Sequence, residues 1–351
     1  MMSRSQRKVE HIRHALQAGQ SGRNGLDDVS FIPNSLPNIS YGNTRIETEL
    51  LHFRLHSPIV INAMTGGAAA TKEINQRLAI VAREKRLVMA VGSQMAALRD
   101  PSVRDSYSIV RRENPDGIIF ANLGAEATTE QAREAVEMIE ADALQIHVNV
   151  MQELMMPEGD RDFTGYLERI GEIVEKIDVP VIVKEVGFGM SRESIRRLID
   201  AGVKAIDLGG SGGTNFARVE NLRSSEPLSM FEDWGLTTAQ SLLEAGEYQM
   251  KGVSMIATGG IRHGLDVCKA LAMGAAAVGM AGSFLRLVTD SVDSCLTAVD
   301  AWHHQLRVAM TALGVSTVDE LRQVPVTVGG ETAQWAMQRG IDLKRYAMRG
   351  L

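Results

Sequence analysis

The sequence predicts an α/β protein of the (β/α)8-barrel class, and three observations predict it. From Pro58 onward, short apolar runs rich in β-branched residues alternate with longer stretches of helical period, the pattern of parallel strands covered by helices. There are eight such units, with strand starts 22 to 36 residues apart except for one interval of 49, from 205 to 254. Each run also ends in polar or glycine-rich sequence, as a barrel requires where its βα loops converge.

The expected strands are 58–64, 88–92, 117–123, 143–149, 179–186, 205–210, 254–260 and 276–282. Thr128, Ser191 and Thr237 stand where N-caps belong, because their hydroxyls can accept from the free N–H groups of a first helical turn. Gly202 and Gly274 stand where helices end. The polar stretch 211–235 is expected to form an irregular loop or lid over the strand ends. The whole chain reads as one domain: an N-terminal extension over 1–57, barrel strands over 58–282, and a mainly helical extension over 283–351.

Composition narrows the function classes. With 37 Lys+Arg against 43 Asp+Glu the net charge is −6, so no basic field draws in nucleic acid, and an anionic substrate must be held by a local cluster. Cys268 and Cys295 form no C-x-x-C pair, and the N-terminus lacks an apolar signal core; a cytoplasmic location is expected. The longest apolar run, 270–282, falls short of the ~20 residues of a membrane span.

The strand ends carry the chemistry. Gly259-Gly260-Ile261-Arg262 after the seventh strand, with Ala281-Gly282 opening the helix after the eighth, has the layout of a barrel phosphate site. Glycines let backbone N–H groups approach an anion, and a helix N-terminus adds partial positive charge. The loop 209–214, ending at Thr214, is a third backbone-donor loop. Lys184 ends an otherwise apolar strand, where an ammonium calls for a bound anion or an electron-rich cofactor. Thr65, Ser93 and Asn122 can hydrogen-bond a polar ring edge. His147 and Asn149 share a strand face with Gln145, and with Gln152 they are the candidates for acid–base work. Glu153 beside a phosphate-binding mouth suits Mg²⁺. Arg7 and Lys8, within a basic N-terminal helix that also holds Arg4 and Arg13, offer charge for an anionic substrate. Together these features describe an FMN barrel without selecting its reaction.

Several segments resemble the type 2, FMN-dependent isopentenyl-diphosphate delta-isomerase family: RKVEHI at 7–12, INAMTGG at 61–67, VGSQMAALRD at 91–100, LQIHVNVMQELMMPEGDRDF at 144–163, VIVKEVGFGMS at 181–191, GGSGGTNFARVEN at 209–221 and ATGGIRHGLDV at 257–267. The resemblance spans nearly the whole chain. It implies interconversion of isopentenyl and dimethylallyl diphosphate in isoprenoid biosynthesis, with FMN active in its reduced form, NAD(P)H as reductant, Mg²⁺, and a homo-oligomer (tetramer or octamer). It implies FMN contacts at Thr65, Gly66, Gly67, Ser93, Asn122, Lys184, Thr214, Gly260, Ile261, Arg262, Ala281 and Gly282. Substrate contacts are implied at Arg7, Lys8, Ser93, Gln94, Met95 and Gln152, and a metal contact at Glu153. Some relatives carry arginine where this chain has Met95, which leaves Arg99 or the N-terminal pair to hold the diphosphate.

Two rival readings stand beside it. An FMN-dependent 2-hydroxy-acid oxidoreductase places a histidine base in an HGG loop, where this chain reads Ser211-Gly212-Gly213. A catalytically silent flavin-binding barrel would keep the FMN loops but would not need Gln152, Glu153 and the Arg7-Lys8 pair together.

Overall fold

The computed structural model describes residues 13–14, 19, 22–249 and 252–350. Arg7 and Lys8 therefore lie outside the described residues.

In chain order the strands are β1 (Val29–Phe31), β2 (Thr48–Leu50), β3 (Phe53–Leu55), β4 (Ile59–Ile61), β5 (Val88–Ala90), β6 (Ile119–Gly124), β7 (Ala143–Val148), β8 (Val181–Glu185), β9 (Ala205–Asp207), β10 (Ser254–Thr258), β11 (Ala277–Met280) and β12 (Val326–Val328). Strands β4 to β11 form a closed parallel barrel in which β11 returns to pair with β4, Val278 opposite Ile59. Seven of the eight expected runs contain one of these strands, and β6 passes the end of its run, 117–123, by one residue, Gly124. In the other seven the pairing is shorter than the apolar run because the last residues turn into the βα loops.

Local signals explain the helices. Thr128 Oγ1 accepts from Gln131 N–H while the Gln131 side chain returns to Thr128 N–H, a reciprocal capping box. Thr237 and Gln240 do the same at the helix Thr238–Gln249, and Ser191 caps Ser194 N–H. Gly202 and Gly274 end their helices with φ of +91° and +105°, conformations that penalise any side chain.

Strand alternation then divides the apolar residues between two cores. Outward residues such as Ile59, Met89, Ile119, Leu144 and Val183 pack beneath the helices. Inward residues Val60, Val88, Ala90, Phe120, Ala143, Ile182, Ala205, Ile256 and Ala277 fill the lower barrel. The β2–β3 hairpin seals that end: Leu50 and Leu55 are buried against the inward cluster, with Phe53 packed on it. This hairpin and β1 are features the reading of 1–57 as an N-terminal extension with a basic helix did not contain.

One further expectation is corrected. The interval 211–235 holds a helix, Phe216–Asn221, and a 3-10 turn, Ser229–Phe231, rather than wholly irregular chain. Asn215 caps that helix by accepting from Arg218 N–H. The C-terminal extension is mainly helical, as expected, and adds one short strand, β12, which pairs antiparallel with β1, Val29 opposite Val328. Among the described residues no helix is long and apolar enough to cross a membrane.

Candidate active site

A cavity of about 420 Å³ opens at the C-terminal ends of the barrel strands. Above the apolar floor, the next inward position of six strands is polar or charged: Asn62, Asn122, Gln145, Lys184, Asp207 and Thr258, of which all but Thr258 are buried. Gln145 and Asp207 lie below the cavity wall, whereas Asn62, Asn122, Lys184 and Thr258 line it.

Of the residues singled out from sequence, Thr65, Ser93, Met95, Asn122, His147, Asn149, Gln152, Glu153, Lys184, Thr214, Gly260, Ile261, Ala281 and Gly282 line this one cavity, as does Arg99. Gly66, Gly67, Gln94 and Arg262 do not. A Cβ on Gly66 would come within 2.0 Å of the Tyr107 ring, so this glycine makes room for a buried aromatic side chain. Gly67 N–H donates to Ser106 Oγ at 2.8 Å. Gln94 is fully buried as a brace: Nε2 donates to the Ala135 carbonyl at 2.8 Å, and Oε1 accepts from Asn122 N–H at 3.0 Å. Arg262 turns away and donates to the carbonyls of Gly22 (2.6 Å) and Gly212 (2.9 Å), while its own N–H is taken by Asp266 Oδ2. With Asn24 Nδ2 donating to the Gly260 carbonyl at 2.7 Å, Arg262 straps residues 22–24 across the loops after β9 and β10.

Those loops form a cradle. A Cβ on Gly213 would stand 3.0 Å from the Gly260 nitrogen, and one on Gly260, whose φ is +69°, would stand 2.5 Å from the Gly212 carbonyl oxygen. Only backbone of this kind lets N–H groups reach an anion closely. Thr238 Oγ1 pins the cradle by donating to the Gly259 carbonyl at 2.6 Å. The helix Gly282–Asp290 points its N-terminus at the same place.

Two buried groups suit a bound cofactor. Thr65 Oγ1 is buried with no hydrogen-bond partner among the described residues, an arrangement that costs about 1–3 kcal/mol unless a ligand satisfies it. Lys184 is 6% exposed, and its ammonium donates to the Glu185 carbonyl at 2.9 Å. No ion pair joins it to a carboxylate among the described residues, although Asp207 is its register partner on β9. A cation so placed favours an electron-rich or anionic ring edge.

On the far wall the helix Val150–Met155 carries Gln152 and Glu153. Gln152 Nε2 donates to Glu220 Oε1 at 3.2 Å, and Glu220, fully buried, is paired with Arg223, which also reaches Glu158 at 2.8 Å. Glu220 escaped the sequence reading because it lies on a helix within the supposed loop. Its only signal was an acid at the buried spacing of the segment NFARVEN. Glu153 Oε1 accepts from Asn149 Nδ2 at 2.8 Å and Oε2 from Asp160 N–H at 2.9 Å. Burial holds the neighbouring Glu126 carboxyl above its usual range, and repulsion from Glu153 and Asp160 adds to the shift. Among the described residues no group of three or more His, Cys, Asp or Glu forms a ready-made metal cage. Both cysteines are buried away from the mouth, their thiols pushed up to about 12 chiefly by burial.

Comparison with known proteins agrees with this geometry. The family model of FMN-dependent dehydrogenase matches residues 95–327. An isopentenyl-diphosphate delta-isomerase of Geobacillus sp. is 52% identical over 99% of this chain and 100% of its own length. That of Bacillus cytotoxicus is 55% identical over the same shares. Among solved structures, a mutant flavocytochrome b2 with pyruvate bound superposes with a TM-score of 0.69 at 19% identity, covering 89% of this chain and 81% of its own. A mandelate oxidase gives 0.64 at 18% identity, covering 93% and 100%; at such identity these two speak for the barrel alone. With a polar mouth, a glycine cradle and full-length identity above one half, the chain belongs to the type 2, FMN-dependent isopentenyl-diphosphate delta-isomerase family.

Proposed function

We propose that the protein interconverts isopentenyl diphosphate and dimethylallyl diphosphate, moving one proton onto the terminal alkene carbon and removing another from C2. The observation that carries the reading is the pairing of Gln152 with the buried Glu220 at the wall of a cofactor-sized cavity. An amide held by a carboxylate is a polar group of fixed direction that can orient an alkene-bearing substrate without abstracting a hydride.

In this reading Gly213, Gly260, Ile261, Ala281 and Gly282 hold the phosphate of FMN, Thr65 and Asn122 face its ring edge, and Lys184 biases the ring toward electron-rich states. Reduced FMN, generated with NAD(P)H, supplies when bound an electron-rich face and exchangeable protons, which suits a reaction that removes no net electrons from its substrate. Glu153, with Glu126 and Asp160 nearby, offers the oxygen donors that Mg²⁺ takes together with water and a diphosphate. Arg7 and Lys8, with Arg99 at the mouth, hold the remaining diphosphate charge. Exposed Leu222, Leu228, Met230 and Trp234, close in sequence to the mouth, favour a homo-oligomer.

The rival 2-hydroxy-acid oxidoreductase reading draws on the shared barrel, its phosphate loops and the FMN-dependent dehydrogenase match over 95–327, but the loop Ser211-Gly212-Gly213 offers no histidine base. The test is turnover of isopentenyl diphosphate with Mg²⁺ and FMN reduced by NAD(P)H or dithionite, in deuterated water. The expected result is sustained turnover with no stoichiometric consumption of reductant, and deuterium in the product methyl group. One NADH consumed per product, or full activity with oxidised FMN, would overturn the reading.

A further inference from the structure

We propose that Asn24, Thr238 and Arg262 are positioning residues for the cofactor phosphate: from behind the glycine cradle each holds one backbone carbonyl, and so turns the N–H that follows it toward the phosphate of FMN. The inference rests on the FMN reading and extends it to side chains that do not touch the cofactor.

The glycines that let backbone approach an anion leave its direction open. A peptide unit between two glycines can rotate as a rigid plate, because glycine takes positive and negative φ alike. One such rotation would turn a donor N–H away and present a carbonyl oxygen to the phosphate instead. In the cradle the units 212–213 and 259–260 each join two glycines, and the unit 260–261 begins at one. Among the described residues no peptide bond is cis, so each C=O and the N–H that follows it point in opposite directions. Whatever holds the carbonyl therefore aims the N–H.

All three carbonyls are held. Thr238 Oγ1 donates to the Gly259 carbonyl at 2.6 Å, Asn24 Nδ2 to the Gly260 carbonyl at 2.7 Å, and Arg262 Nη2 to the Gly212 carbonyl at 2.9 Å. Asn24 and Thr238 are at most 1% exposed and lie outside the cavity wall, whereas Gly213, Gly260 and Ile261 line it. The N–H groups of Gly260, Ile261 and Gly213 thus face the cavity side, and none of them has an acceptor among the described residues. The next N–H, of Arg262, is taken by Asp266 Oδ2 at 3.0 Å, so this run of donors ends at Ile261.

Asn24 cannot turn round. Its Oδ1 accepts from Leu26 N–H at 2.9 Å, and reversing the amide would set oxygen against the Gly260 carbonyl and NH2 against that N–H. Its own carbonyl accepts from Ala239 N–H at 3.0 Å, and a Cβ on Gly212 would stand 2.7 Å from Asn24 Cα. The segment is wedged against the loop it holds. A side chain of the N-terminal extension in this way sets the direction of donors that all belong to the barrel.

The test compares FMN with riboflavin, which has the same ring and lacks the phosphate. Both are titrated by flavin fluorescence into the flavin-free full chain as wild type, Asn24→Ser and Thr238→Val. Serine keeps an oxygen that can accept from Leu26 N–H but is too short to reach Gly260, and valine keeps the branched shape of Thr238 without its hydroxyl. The wild type is expected to prefer FMN. Each variant should lose about tenfold of that preference, the share of one charge-assisted hydrogen bond, with riboflavin affinity unchanged, and the ³¹P resonance of bound FMN should move. Equal losses for both flavins would show damage to the general shape of the site and overturn the proposal, as would a preference equal to that of the wild type. Should Asn24→Ser fail to fold, Thr238→Val decides by the same ratio. A wild type that binds no FMN would defeat the cofactor reading itself, an outcome distinct from variants that keep the wild-type preference.

Discussion

The floor and the mouth of the barrel are built by the same strands and differ by a step of two residues. At the floor the inward positions are Val60, Phe120, Ala143, Ile182, Ala205 and Ile256, sealed by the β2–β3 hairpin. One inward position further on, the same strands present Asn62, Asn122, Gln145, Lys184, Asp207 and Thr258. Backbone geometry is continuous across this boundary, so what changes is what the side chains require. Floor residues are satisfied by one another. Residues at the mouth are satisfied in part by hydrogen bonds among Asn62, Asn122, Gln145 and Asp207, while Thr65 Oγ1 has no partner among the described residues and the Lys184 ammonium has a backbone carbonyl but no carboxylate. Stability therefore resides at one end and binding at the other.

The comparison breaks if a floor substitution disturbs binding first. Phe120→Ala leaves a cavity in a fully buried cluster and should lower unfolding free energy by about 3–5 kcal/mol, measured by denaturant titration, while FMN affinity of the folded fraction stays close to wild type. Lys184→Met should do the reverse. Losing a charge-assisted contact worth roughly 1.5–3 kcal/mol weakens FMN binding by about 10- to 150-fold, whereas apo stability, read from thermal melts, should hold or rise because an unpaired buried ammonium has gone. A fall in apo stability would mean that Lys184 is a structural group after all.

Two smaller effects sharpen the boundary. Gly260→Val places a side chain at φ +69° against the Gly212 carbonyl, and should raise the FMN dissociation constant about tenfold or more, about 1.4 kcal/mol, by fluorescence titration. Glu185, just past Lys184, is the mildest case. Burial pushes its carboxyl up to about 8 from the ordinary 4.5, and three backbone N–H groups, from Gly187, Phe188 and Gly189, together with the Lys184 charge only partly offset this. A raised folded-state value means that the native protein holds this proton more tightly. The resulting stability is fully present below about pH 4.5 and is lost as pH rises through about 8. Glu185→Gln should abolish that slope, so the two proteins should melt further apart at about pH 9 than at about pH 5.

Much of this was legible in the sequence. The eight runs, the caps at Thr128 and Ser191, the cradle of Gly260 and Gly282, and Lys184 at a strand end each follow from local chemistry. What failed was whatever local pattern leaves ambiguous. Gly66 and Gly260 are both glycines in strand-end loops, yet one makes room for the Tyr107 ring and the other opens onto the cavity. Gln94 and Arg262 are polar residues beside the mouth whose partners, Ala135 and Gly22, lie 41 and 240 positions away. The Asn62–Asp207 bond joins residues 145 positions apart, a pairing that appears only once the barrel closes.

The clasp between β1 and β12 has a consequence for how the chain is made. Val29 leaves the ribosome 299 residues ahead of its partner Val328, an interval of about 15–60 s at elongation speeds of roughly 5–20 residues per second. All eight barrel strands emerge within that interval. The strand leading from Gly22 and Asn24, the residues strapped over the glycine cradle, stays unpaired until it ends. A nascent chain can thus complete its barrel while β1 waits. Only the β1–β12 pairing waits for residues 326–328; the straps from Asn24 and Arg262 that seat residues 22–24 over the mouth can close as soon as the loops after β9 and β10 exist.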